Sequence, residues 1–509
     1  MKPMTLCFLF ACSVSTPVVW ATVLHVPANY ATIQGAIDAS VHGDTVLVAP
    51  GTYMENIRFK GKRIVVTSHY ALNNDPLHIL STVINGSNPV HADTASCVLI
   101  VSGEDSSAVL QGFTLTGGRG TKWLDEHGAG LYWEGGGVLT ALSSPTIKHN
   151  RIIENEAISV TGGAFSAGGG GIRSGDGAPK IVNNIFMSNR GMYGGGLVLN
   201  YCAGAVVRNN VFCQNRVYQA VPGATTFGGG GVWINNQLPG NATTNIIENN
   251  TIVGNSSLSG VQQGDQGRAG GMLVRENSIV QARSNIVWGN LQSFGGQIAG
   301  AGNFSASYNL IEGGFAGIGN IDTNPLFADS AFYLTGGSPC VDAGDPAATY
   351  YDPENPSQPG TAAWPSLGSL RNDIGVYGGP WRSVMAAFSR AGIYLTSSSF
   401  SFGYVLPSDT GWISIPIKNN GAGRLAIDSV RVMFSMGNVI SIVTQLPLLI
   451  GPGGRDSLRL RWTPLQNGVL SDTARIYHND PGEINPLDIH LSGNSNPTPQ
   501  LFLNTAEHN

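Results

Sequence analysis

Short apolar segments alternate with turns rich in Asn and Gly along the middle of the chain, and one such phrase recurs five times. Each copy has an Asn, an apolar residue two positions later and a second Asn five positions after the first. The Asn pairs are Asn150/Asn155, Asn184/Asn189, Asn210/Asn215, Asn250/Asn255 and Asn285/Asn290. The apolar column is Ile152, Phe186, Phe212, Ile252 and Val287. A sixth copy begins at Asn309, with Gly314 in place of the second Asn. Repetition at such a period decides the architecture before local propensity does.

The first Asn of successive copies advances by 34, 26, 40, 35 and 24 residues, which suits the coils of a parallel β-solenoid with loops of variable length. The segments are short and β-branched or aromatic, which is typical of strands rather than of helices with a 3.6-residue period. Glycine runs precede the copies, at Gly135–Gly137, Gly168–Gly171, Gly194–Gly196, Gly228–Gly231 and Gly270–Gly271. Each coil is therefore predicted to contain a Gly-led strand, a turn, a second strand, an Asn turn and a third strand.

Identical turn residues form columns when coils stack at the strand spacing of ~4.8 Å. A column of Asn side chains satisfies backbone groups of its own turn and bonds to its neighbours as an amide ladder. The glycines allow tight corners at positive φ. We therefore assign the Asn and Gly residues a structural role.

Composition narrows the function classes. The chain has 509 residues, 69 of them Gly, with 12% charged residues and a net charge of −5, which predicts two or more domains. No basic cluster is visible in the sequence, which argues against a nucleic-acid partner. The phosphate-binding pattern G-x-x-x-x-G-K-[ST] is absent from the sequence, which excludes a P-loop nucleotide site.

The N-terminus predicts export. Lys2 precedes an apolar run, and Val19-Trp20-Ala21 fits signal-peptide cleavage after Ala21, giving a signal peptide over 1–21 and a secreted or cell-surface protein. The alternative is a lipoprotein modified at Cys12, and simple cleavage is favoured. No later stretch is apolar and long enough to span a membrane. The cysteines beyond this segment form no C-x-x-C pair, which disfavours zinc and leaves disulfide pairing open: Cys97, Cys202, Cys213 and Cys340.

The sequence predicts four regions after residue 21. Residues 22–381 form the solenoid, which begins with an amphipathic capping helix at Thr32–Ser40 and ends with an irregular closing segment at 322–381. A linker follows at 382–392. Alternating strands such as Trp412–Ile417 and Ser457–Trp462 then predict a β-sandwich over 393–495. The tail 496–509 is expected to be disordered. The protein is expected to be a monomer.

The segment from Ala31-Thr-Ile-Gln to Glu55-Asn-Ile57 resembles the N-terminal unit of the pectin-lyase-like superfamily, and Gln111-Gly-Phe-Thr-Leu-Thr-Gly117 matches the same group. Asn324-Pro-Leu-Phe and Ser338-Pro-Cys-Val-Asp-Ala-Gly344 are similar to the closing segment of secreted bacterial members. This resemblance covers about 22–381 and implies a right-handed parallel β-helix. The sandwich, with His478-Asn-Asp-Pro481 and Leu491-Ser-Gly493 near its end, resembles the ASH (abnormal-spindle/Hydin) group of immunoglobulin-like domains. The superfold hosts lyases, hydrolases, esterases, adhesins and spacers, so the resemblance leaves the function open.

A calcium-dependent lyase site needs clustered carboxylates and a basic residue. In this fold we expect them at the outward positions of the Gly-led strand. The first column after the glycines is predicted to point inward: Val138, Ile172, Leu197, Val232 and Met272. The second column is predicted to point outward: Leu139, Arg173, Val198, Trp233 and Leu273. So is the fourth: Ala141, Gly175, Asn200, Asn235 and Arg275. Neither outward column contains a carboxylate, which weighs against such a site. The catalytic segments of pectin methylesterases also have no counterpart.

Loops at 118–134, 156–167, 216–227 and 256–269 leave the coils at one corner and are predicted to crowd one side of the solenoid. The candidates for catalysis are Glu126, Glu134, Arg173 and Asp265. The candidates for ligand binding are Trp123, Tyr132, Trp133 and Trp233. A solvated loop is favoured over catalysis for the charged residues, and packing is favoured over sugar stacking for the aromatic ones.

The sequence favours an exported, non-catalytic protein that recognises polysaccharide or another extracellular ligand along its loop-rich face. The alternative is a polysaccharide lyase or a glycoside hydrolase, which needs two carboxylates ~5–10 Å apart. No cofactor and no metal site are predicted. A structural calcium ion at Asp342, Asp345 and Asp373 is the alternative to hydrogen bonding within the closing segment.

Overall fold

The structure is a computed structural model. It describes residues 21–218, 226–237, 240–258, 267–275, 277–301, 303–385, 393–419, 425–433, 438–450, 454–478 and 486–496. The predicted cleavage region up to residue 20, Cys12, Asp265 and most of the predicted linker and tail therefore lie outside the described residues. None of the described helices is long and apolar enough to cross a membrane.

Three long parallel sheets form the walls of a parallel β-helix, as the repeat predicts. The first sheet contains Val23–Val26, Thr45–Val48, Val65–Ser68, Val109–Gln111, Thr146–Lys148, Lys180–Val182, Val206–Arg208, Asn245–Glu248, Ile279–Arg283 and Asn303–Ser307. The second sheet contains Gly51–Tyr53, Thr82–Asn85, Thr114–Thr116, Arg151–Ile153, Ile185–Met187, Val211–Cys213, Thr251–Val253, Ile286–Trp288 and Leu310–Ile311. The third sheet contains Ile57–Arg58, Val98–Ile100, Val138–Ala141, Ile172–Gly175, Leu197–Asn200, Val232–Asn235, Met272–Val274 and Ile298–Gly300.

Two smaller sheets lie at the corner where the predicted loops leave the coils. The corner sheet is parallel and contains Glu156–Ala157, Arg190–Gly191, Arg216–Val217, Ser256–Ser257 and Leu291–Gln292. The loop sheet contains Thr94–Ala95, Gly120–Leu124, Leu131–Glu134 and Ser166–Gly168.

The solenoid core is a continuous apolar column to which each coil contributes the inward residues of its strands, one or two from each strand. Val138, Ile172, Leu197, Val232 and Met272 of the third sheet are all fully buried in it, which confirms the predicted inward column. The predicted apolar column of the second sheet lies there too, with Phe186 stacked on Phe212 at a ring-centroid distance of 4.4 Å. The one-residue-per-coil periodicity of the sequence is therefore the periodicity of the core.

Both predicted Asn columns are hydrogen-bonded ladders. In the first, each Asn Nδ2 donates to the Oδ1 of the next coil's Asn at 2.9–3.1 Å, from Asn150 through Asn309 to Asn320. The second runs from Asn155 to Asn290 at 2.8–3.2 Å and ends on Gln297 rather than on a sixth Asn. The same amides donate to backbone carbonyls, as Asn210 does to Ile181 at 2.8 Å. The ladders thus satisfy turn backbone that is closed off from water.

The N-terminal end of the core is covered by the helix Ile33–Ala39, which lies where the sequence predicts it. Thr32 caps it by accepting from Gly35 N at 3.0 Å, and the Glu55 carboxylate accepts from Ile33 N and Gln34 N at 2.9 Å each. Its buried face, which includes Ile33, packs on the first apolar layer. Two short helices, Tyr70–Asn73 and Leu77–Ser81, follow within the next coil.

The closing segment doubles back along the outer face of the second sheet. It contains one 3₁₀ helix, Ala348–Tyr350. Asn209 Nδ2 donates to the carbonyl oxygens of Val376 and Gly378 at 2.9 and 2.7 Å, and Asn249 Nδ2 donates to that of Asp373 at 2.9 Å. These asparagines precede the ladder positions and have positive φ, which turns their side chains out of the coil. The segment is thereby attached to several coils at once.

Two buried carboxylates within the closing segment make it sensitive to pH. Burial raises the pKa of Asp352 to about 8, and the charge of Asp373 adds to that shift. Burial also raises the pKa of Asp373 to about 7, against the hydrogen bond from Leu367 N. An aspartate in an unfolded chain titrates at pH ~4, so above that pH the folded state keeps protons that the unfolded state has already released. The contribution of these two carboxyl groups to the free energy of unfolding is complete below about pH 4 and is lost as the pH rises through 7 to 8.

We expect the thermal midpoint to be higher at pH 5 than at pH 8, and we expect Asp352→Asn to shrink that difference by at least about 2 °C. The variant removes the repulsion between the two carboxylates, and the measurement is thermal unfolding at both pH values. Asp456→Asn, at an exposed position of the sandwich, is the matched control. An unchanged pH dependence in Asp352→Asn would contradict the assignment.

The C-terminal region is an antiparallel sandwich of two sheets. The four-stranded sandwich sheet contains Ile393–Leu395, Gly411–Asn419, Arg455–Pro464 and Asn438–Ile442. The five-stranded sandwich sheet contains Ser399–Tyr404, Leu487–Asn494, Val469–His478, Leu425–Met433 and Leu448–Ile450, with one parallel pair between its first two strands. The alternating inward residues enclose Trp462, which is fully buried. This domain has its own apolar core, as the sequence predicts.

The four cysteines of the described region are free thiols, all buried. The pairing that the sequence left open is therefore absent among these residues. Burial raises the pKa of each thiol, to about 12 for Cys97 and Cys213 and to about 11 for Cys202.

Candidate functional site

A β-hairpin covers part of the outer face of the third sheet. Its strands Gly120–Leu124 and Leu131–Glu134 pair antiparallel, with Trp123 opposite Tyr132. The second of them also pairs in parallel with Ser166–Gly168, which fixes the hairpin to the loop of the next coil. Alternation along the strand sends Tyr132 and Glu134 to one side and Trp133 to the other. The predicted excursion at 118–134 is thus an ordered element that brings acidic residues over the sheet.

Arg173 lies beneath this hairpin and is fully buried. Its guanidinium binds Glu126 in a bidentate pair, with nitrogen–oxygen distances of 3.1 and 3.0 Å. Nε lies 2.8 Å from Oε2 of Glu134 in an ion pair without hydrogen-bond alignment, and Nη2 lies 4.0 Å from Oδ2 of Asp125. A Cβ on Gly175 would lie 2.2 Å from the guanidinium, so the cluster needs glycine there. One buried cation thus faces three carboxylates.

The environments of these carboxylates push their pKa values apart. Burial raises the pKa of Glu126, but the hydrogen bonds and the charge of Arg173 outweigh it, so that pKa is lowered. Burial raises the pKa of Glu134 above its usual range despite the charge of Arg173. Burial lowers the pKa of Arg173, but the nearby carboxylates raise it by more. The net effect is a raised pKa, so the guanidinium stays charged. Divergent values within a group of neighbouring acids are typical of functional sites, although structural ion networks produce them too.

Further polar residues complete the cluster. Tyr193 donates its hydroxyl to Glu134 Oε1 at 2.6 Å, and Trp123 Nε1 donates to Glu126 Oε1 at 2.7 Å. At the edge, His127 Nε2 lies 2.6 Å from Asp176 Oδ1, and its ring stacks on Tyr201 at 3.7 Å between centroids. The carboxylates are held in fixed positions by these contacts.

A pocket of about 180 Å³ opens beside the cluster. A hydrogen-bonded row of side chains crosses its floor: Arg275 Nη1 donates to Asn235 Oδ1 at 3.1 Å, Asn235 Nδ2 donates to Asn200 Oδ1 at 2.9 Å, and Asn200 Nδ2 lies 3.4 Å from Asp125 Oδ2. Asn200, Asn235 and Arg275 come from consecutive coils in register, so they belong to the fourth column after the glycines, and Asp125 reaches the row from the hairpin. The sheet geometry therefore builds this polar row.

Aromatic rings also line this pocket. Tyr132, Tyr193, Tyr201, Phe227 and Trp233 all line the pocket. Trp233 is 5% exposed, and its buried Nε1 has no hydrogen-bond partner among the described residues. Buried donors are nearly always paired in native proteins. The indole N–H of Trp233 is therefore an unsatisfied donor at the edge of the pocket.

The structure brings most of the predicted site residues to this place. Glu126, Glu134 and Arg173 form the cluster, while Trp123 binds its edge and Tyr132 lines the pocket. Trp233 lines the pocket with its ring packed beneath Tyr193, at 5.0 Å between centroids. Trp133 lies apart: it is 6% exposed, packs against Ala167 and Met192, and donates Nε1 to Thr161 O at 3.1 Å.

Sequence reasoning did not select several pocket residues: Tyr193, Asn200, Tyr201, Phe227 and Asn235. The sequence pattern does contain the two asparagines, because both stand in the predicted outward column. A search for carboxylates in that column does not find them. Tyr193 follows a corner strand and gave no sequence signal.

Polar side chains also gather at two other places, a groove near the N-terminal helix and the aspartates of the closing segment. A larger groove of about 440 Å³ near the N-terminal helix is lined by Glu55, Arg58 and Lys60, but it is open, and Val90 on its wall is 92% exposed. The described residues contain no group of three or more His, Cys, Asp or Glu side chains placed to hold a metal ion. In the closing segment, Asp342 accepts from Ser369 N and Asp373 accepts from Asp342 N. The calcium alternative there stays a prediction.

No family model and no curated protein matches the chain. Among solved structures, a pectin methylesterase in complex with a hexasaccharide matches at 9% identity and a TM-score of 0.33, over 61% of this chain and 94% of that one. A mutant of the PL6-family alginate lyase AlyGC matches at 14% identity and a TM-score of 0.22, over 76% of this chain and 62% of that one. The ASH/PapD-like domain of human CEP192 matches at 13% identity and a TM-score of 0.17, over 22% and 89%. TM-scores this low carry no argument about activity.

Proposed function

We propose that this protein is exported and binds a polysaccharide on the loop-rich face of its β-helix, with one sugar ring in the pocket beside Arg173. The observation that carries the proposal is the lining of that pocket. It combines aromatic rings with a row of amide, guanidinium and carboxylate groups, beside a buried indole N–H without a partner among the described residues. A sugar ring needs both kinds of wall.

A pyranose has apolar C–H faces and hydroxyls that both donate and accept. Aromatic rings with a polar edge, such as Tyr132 and Tyr201, suit the first, and Asn, Asp and Arg side chains suit the second. The volume of about 180 Å³ is below the ~300–1,000 Å³ of sites for drug-sized ligands, so it suits a single ring of a longer chain. The rest of the polymer would lie along the open face of the third sheet.

Binding without reaction is the favoured function because Arg173 engages the carboxylates that a glycosidase would need. Glu126 is held by two charge-assisted hydrogen bonds, and Glu134 is 3% exposed. We therefore assign these paired and buried acids a structural role, holding the hairpin over Arg173.

We expect Tyr132→Ala to weaken binding of the best ligand from a glycan array by roughly 30-fold, because truncating a central aromatic contact costs ~2 kcal/mol. The chain from residue 22 onward is used, with titration calorimetry on the array hits. Tyr351→Ala, a 38% exposed tyrosine of the closing segment, is the matched control and should bind as the unmodified chain does. Equal binding by Tyr132→Ala would place recognition elsewhere, and an absence of glycan binding would refute the proposal.

A glycoside hydrolase is the second candidate, because Asp125 and Glu134 both line the pocket. Carboxylates that share one guanidinium lie within the ~5–10 Å over which glycosidases place their two acids. The raised pKa of Glu134 is typical of a general acid. A reducing-end assay on each bound glycan tests this candidate, while absorbance at 235 nm would report the unsaturated product of a lyase instead. Product that disappears in Glu134→Gln while binding persists would establish the hydrolase, and no product would exclude it for those glycans.

A further inference from the structure

The outer face of the four-stranded sandwich sheet gathers positive charge. Strand alternation buries Leu458, Leu460 and Trp462 in the core, so the residues between them face outward. The outward residues that carry the charge, together with an exposed tryptophan, form what we name the basic face: Lys418, Arg455, Arg459, Arg461 and Trp412. Three of the cations alternate with other residues along one strand, Arg455–Pro464, and Lys418 comes from the neighbouring strand, so the sheet brings the four together.

The register places the charges in two groups. Lys418 pairs directly with Arg455 at one end of the strands. Trp412 pairs with Arg461 at the other end, where the guanidinium lies 5.9 Å from the ring centroid. Arg459 lies between the groups, two positions from Arg461, or ~6.8 Å along the strand. The face is therefore a positively charged strip along the strands with an aromatic ring at one end.

This charge has no carboxylate partner among the described residues of the sandwich. Among the described residues, none of the four cations forms an ion pair with a carboxylate. The described strands of this sheet contain one acidic residue, Asp456, at the end of its strand. On the five-stranded sandwich sheet, by contrast, Arg475 pairs with Asp488 at 3.2 Å. The excess of positive charge is therefore confined to one face of the sandwich, although the whole chain has a net charge of −5.

Like charges directly opposite each other on a sheet are destabilising, so the Lys418–Arg455 pair works against the fold in the absence of a partner. A bound anion would relieve that repulsion. Three of the four cations are arginines, whose planar guanidinium binds carboxylate and sulfate groups in bidentate fashion and gives up its hydration more easily than lysine. Trp412 is 58% exposed, with an apolar surface on which a sugar ring can stack.

We propose that the basic face binds an acidic polysaccharide, a linear glycan that carries carboxylate or sulfate groups. A straight row of arginines with an exposed ring at one end matches a polymer that repeats both oxyanions and rings. The site is separate from the pocket of the β-helix and stands whether or not that pocket binds sugar. If both sites bind one polymer, the second binding event becomes intramolecular and the apparent affinity rises.

The test compares the chain from residue 22 onward with Arg459→Gln/Arg461→Gln, using heparin and polygalacturonate as probes and neutral dextran as reference. We expect the unmodified chain to bind at least one acidic probe at 0.15 M salt and to ignore dextran. The double variant should bind that probe at least 10-fold more weakly, with a shallower dependence on salt. Arg431→Gln/Arg475→Gln, with the same change of charge on the five-stranded sandwich sheet, should change binding by less than 3-fold.

Several results would overturn the proposal. Equal losses in the two double variants would reduce the effect to net charge. An equal loss in Tyr132→Ala would move binding to the pocket of the β-helix. Tighter binding to vesicles with anionic lipid, or to single-stranded RNA, would assign the face to another class of partner. An unmodified chain that binds neither acidic probe would refute the proposal outright.

Discussion

Replacing Arg173 with methionine is expected to lower the free energy of unfolding by ~3–5 kcal/mol at pH 7, because the substitution leaves buried carboxylates without their cation. Arg173 is fully buried, with Glu126 and Glu134 at 3.0 and 2.8 Å and Asp125 at 4.0 Å. Methionine has a similar length and no charge, so the loss reports the ion cluster rather than a cavity. Chemical denaturation at pH 7, followed by tryptophan fluorescence, measures it.

The pH dependence of the same variant identifies the cause. Without Arg173, burial raises the pKa values of Glu126 and Glu134 above their unfolded values, so as the pH falls the folded state takes up protons before the unfolded state does. The variant should therefore regain stability relative to the unmodified chain as the pH falls from 7 toward 4. Adding Glu126→Gln and Glu134→Gln should restore a large part of the loss at pH 7, because the unpaired charges are then gone.

A matched surface arginine separates this cluster from an ordinary ion pair. Arg190 pairs with Glu156 at 2.8 Å but is 52% exposed, so Arg190→Met should cost less than ~1 kcal/mol. If Arg173→Met were no more harmful than Arg190→Met, or if its cost did not change with pH, the cluster would not be the buried ionic network described above.

Local patterning was enough to predict the solenoid. Columns such as Val138, Ile172 and Leu197 carry the period of the coil, and a one-residue shift would move every one of them to the other face of its sheet. The register of the third sheet is therefore fixed by burial. The Asn ladders follow from the same period, since stacked identical turns place identical side chains one above another.

The composition of the site could be predicted only in part. The outward column containing Arg173 and Trp233 was visible in the sequence, and so was the acidic loop at 118–134. That the loop forms a hairpin and lowers Glu126 onto Arg173 depends on contacts 47 residues apart, which no local signal encodes. The expectation that Trp133 belongs with the other aromatic residues overlooked strand alternation, which sends it to the opposite side of the hairpin from Tyr132.

Two other features depend on long-range contacts. The path of the closing segment is set by hydrogen bonds such as that from Asn209 to Gly378, which join residues 169 positions apart. The second ladder ends on Gln297, whose longer amide reaches Asn290 at 2.8 Å from outside the repeat. The sequence suggested only that the second Asn is lost after the fifth copy. In each case the residue type was compatible with the contact, and the contact itself came from the tertiary fold.

Asn210→Ala is expected to lower the free energy of unfolding by roughly 3–5 kcal/mol. Asn210 is fully buried in the middle of the first ladder. Its Oδ1 accepts from both the backbone N and the Nδ2 of Asn184, and its Nδ2 donates to Ile181 O and to Asn250 Oδ1. Alanine removes all of these contacts and leaves buried donors and acceptors unpaired, each at ~1–3 kcal/mol before relaxation.

Position along the ladder decides how large the cost is. A solenoid is stabilised by interfaces between neighbouring coils, so a break in the middle weakens the coupling between the two halves. Asn320 ends the same ladder, bonds to Asn309 at 3.1 Å and is only half-buried, so Asn320→Ala should cost less than half as much. Asn88→Ala, at an exposed position, is the matched control and should fall within ~0.5 kcal/mol of the unmodified chain.

Denaturant unfolding of the three variants measures how the loss of unfolding free energy changes along the ladder. The slope of the transition also reports how cooperatively the stack unfolds. If the ladder couples the coils, Asn210→Ala should also broaden the transition, because the two halves of the stack then unfold less cooperatively. Equal costs at Asn210 and Asn320 would mean that each amide acts only on its own turn. The ladder would then be a row of independent turn contacts rather than an element that holds the stack together.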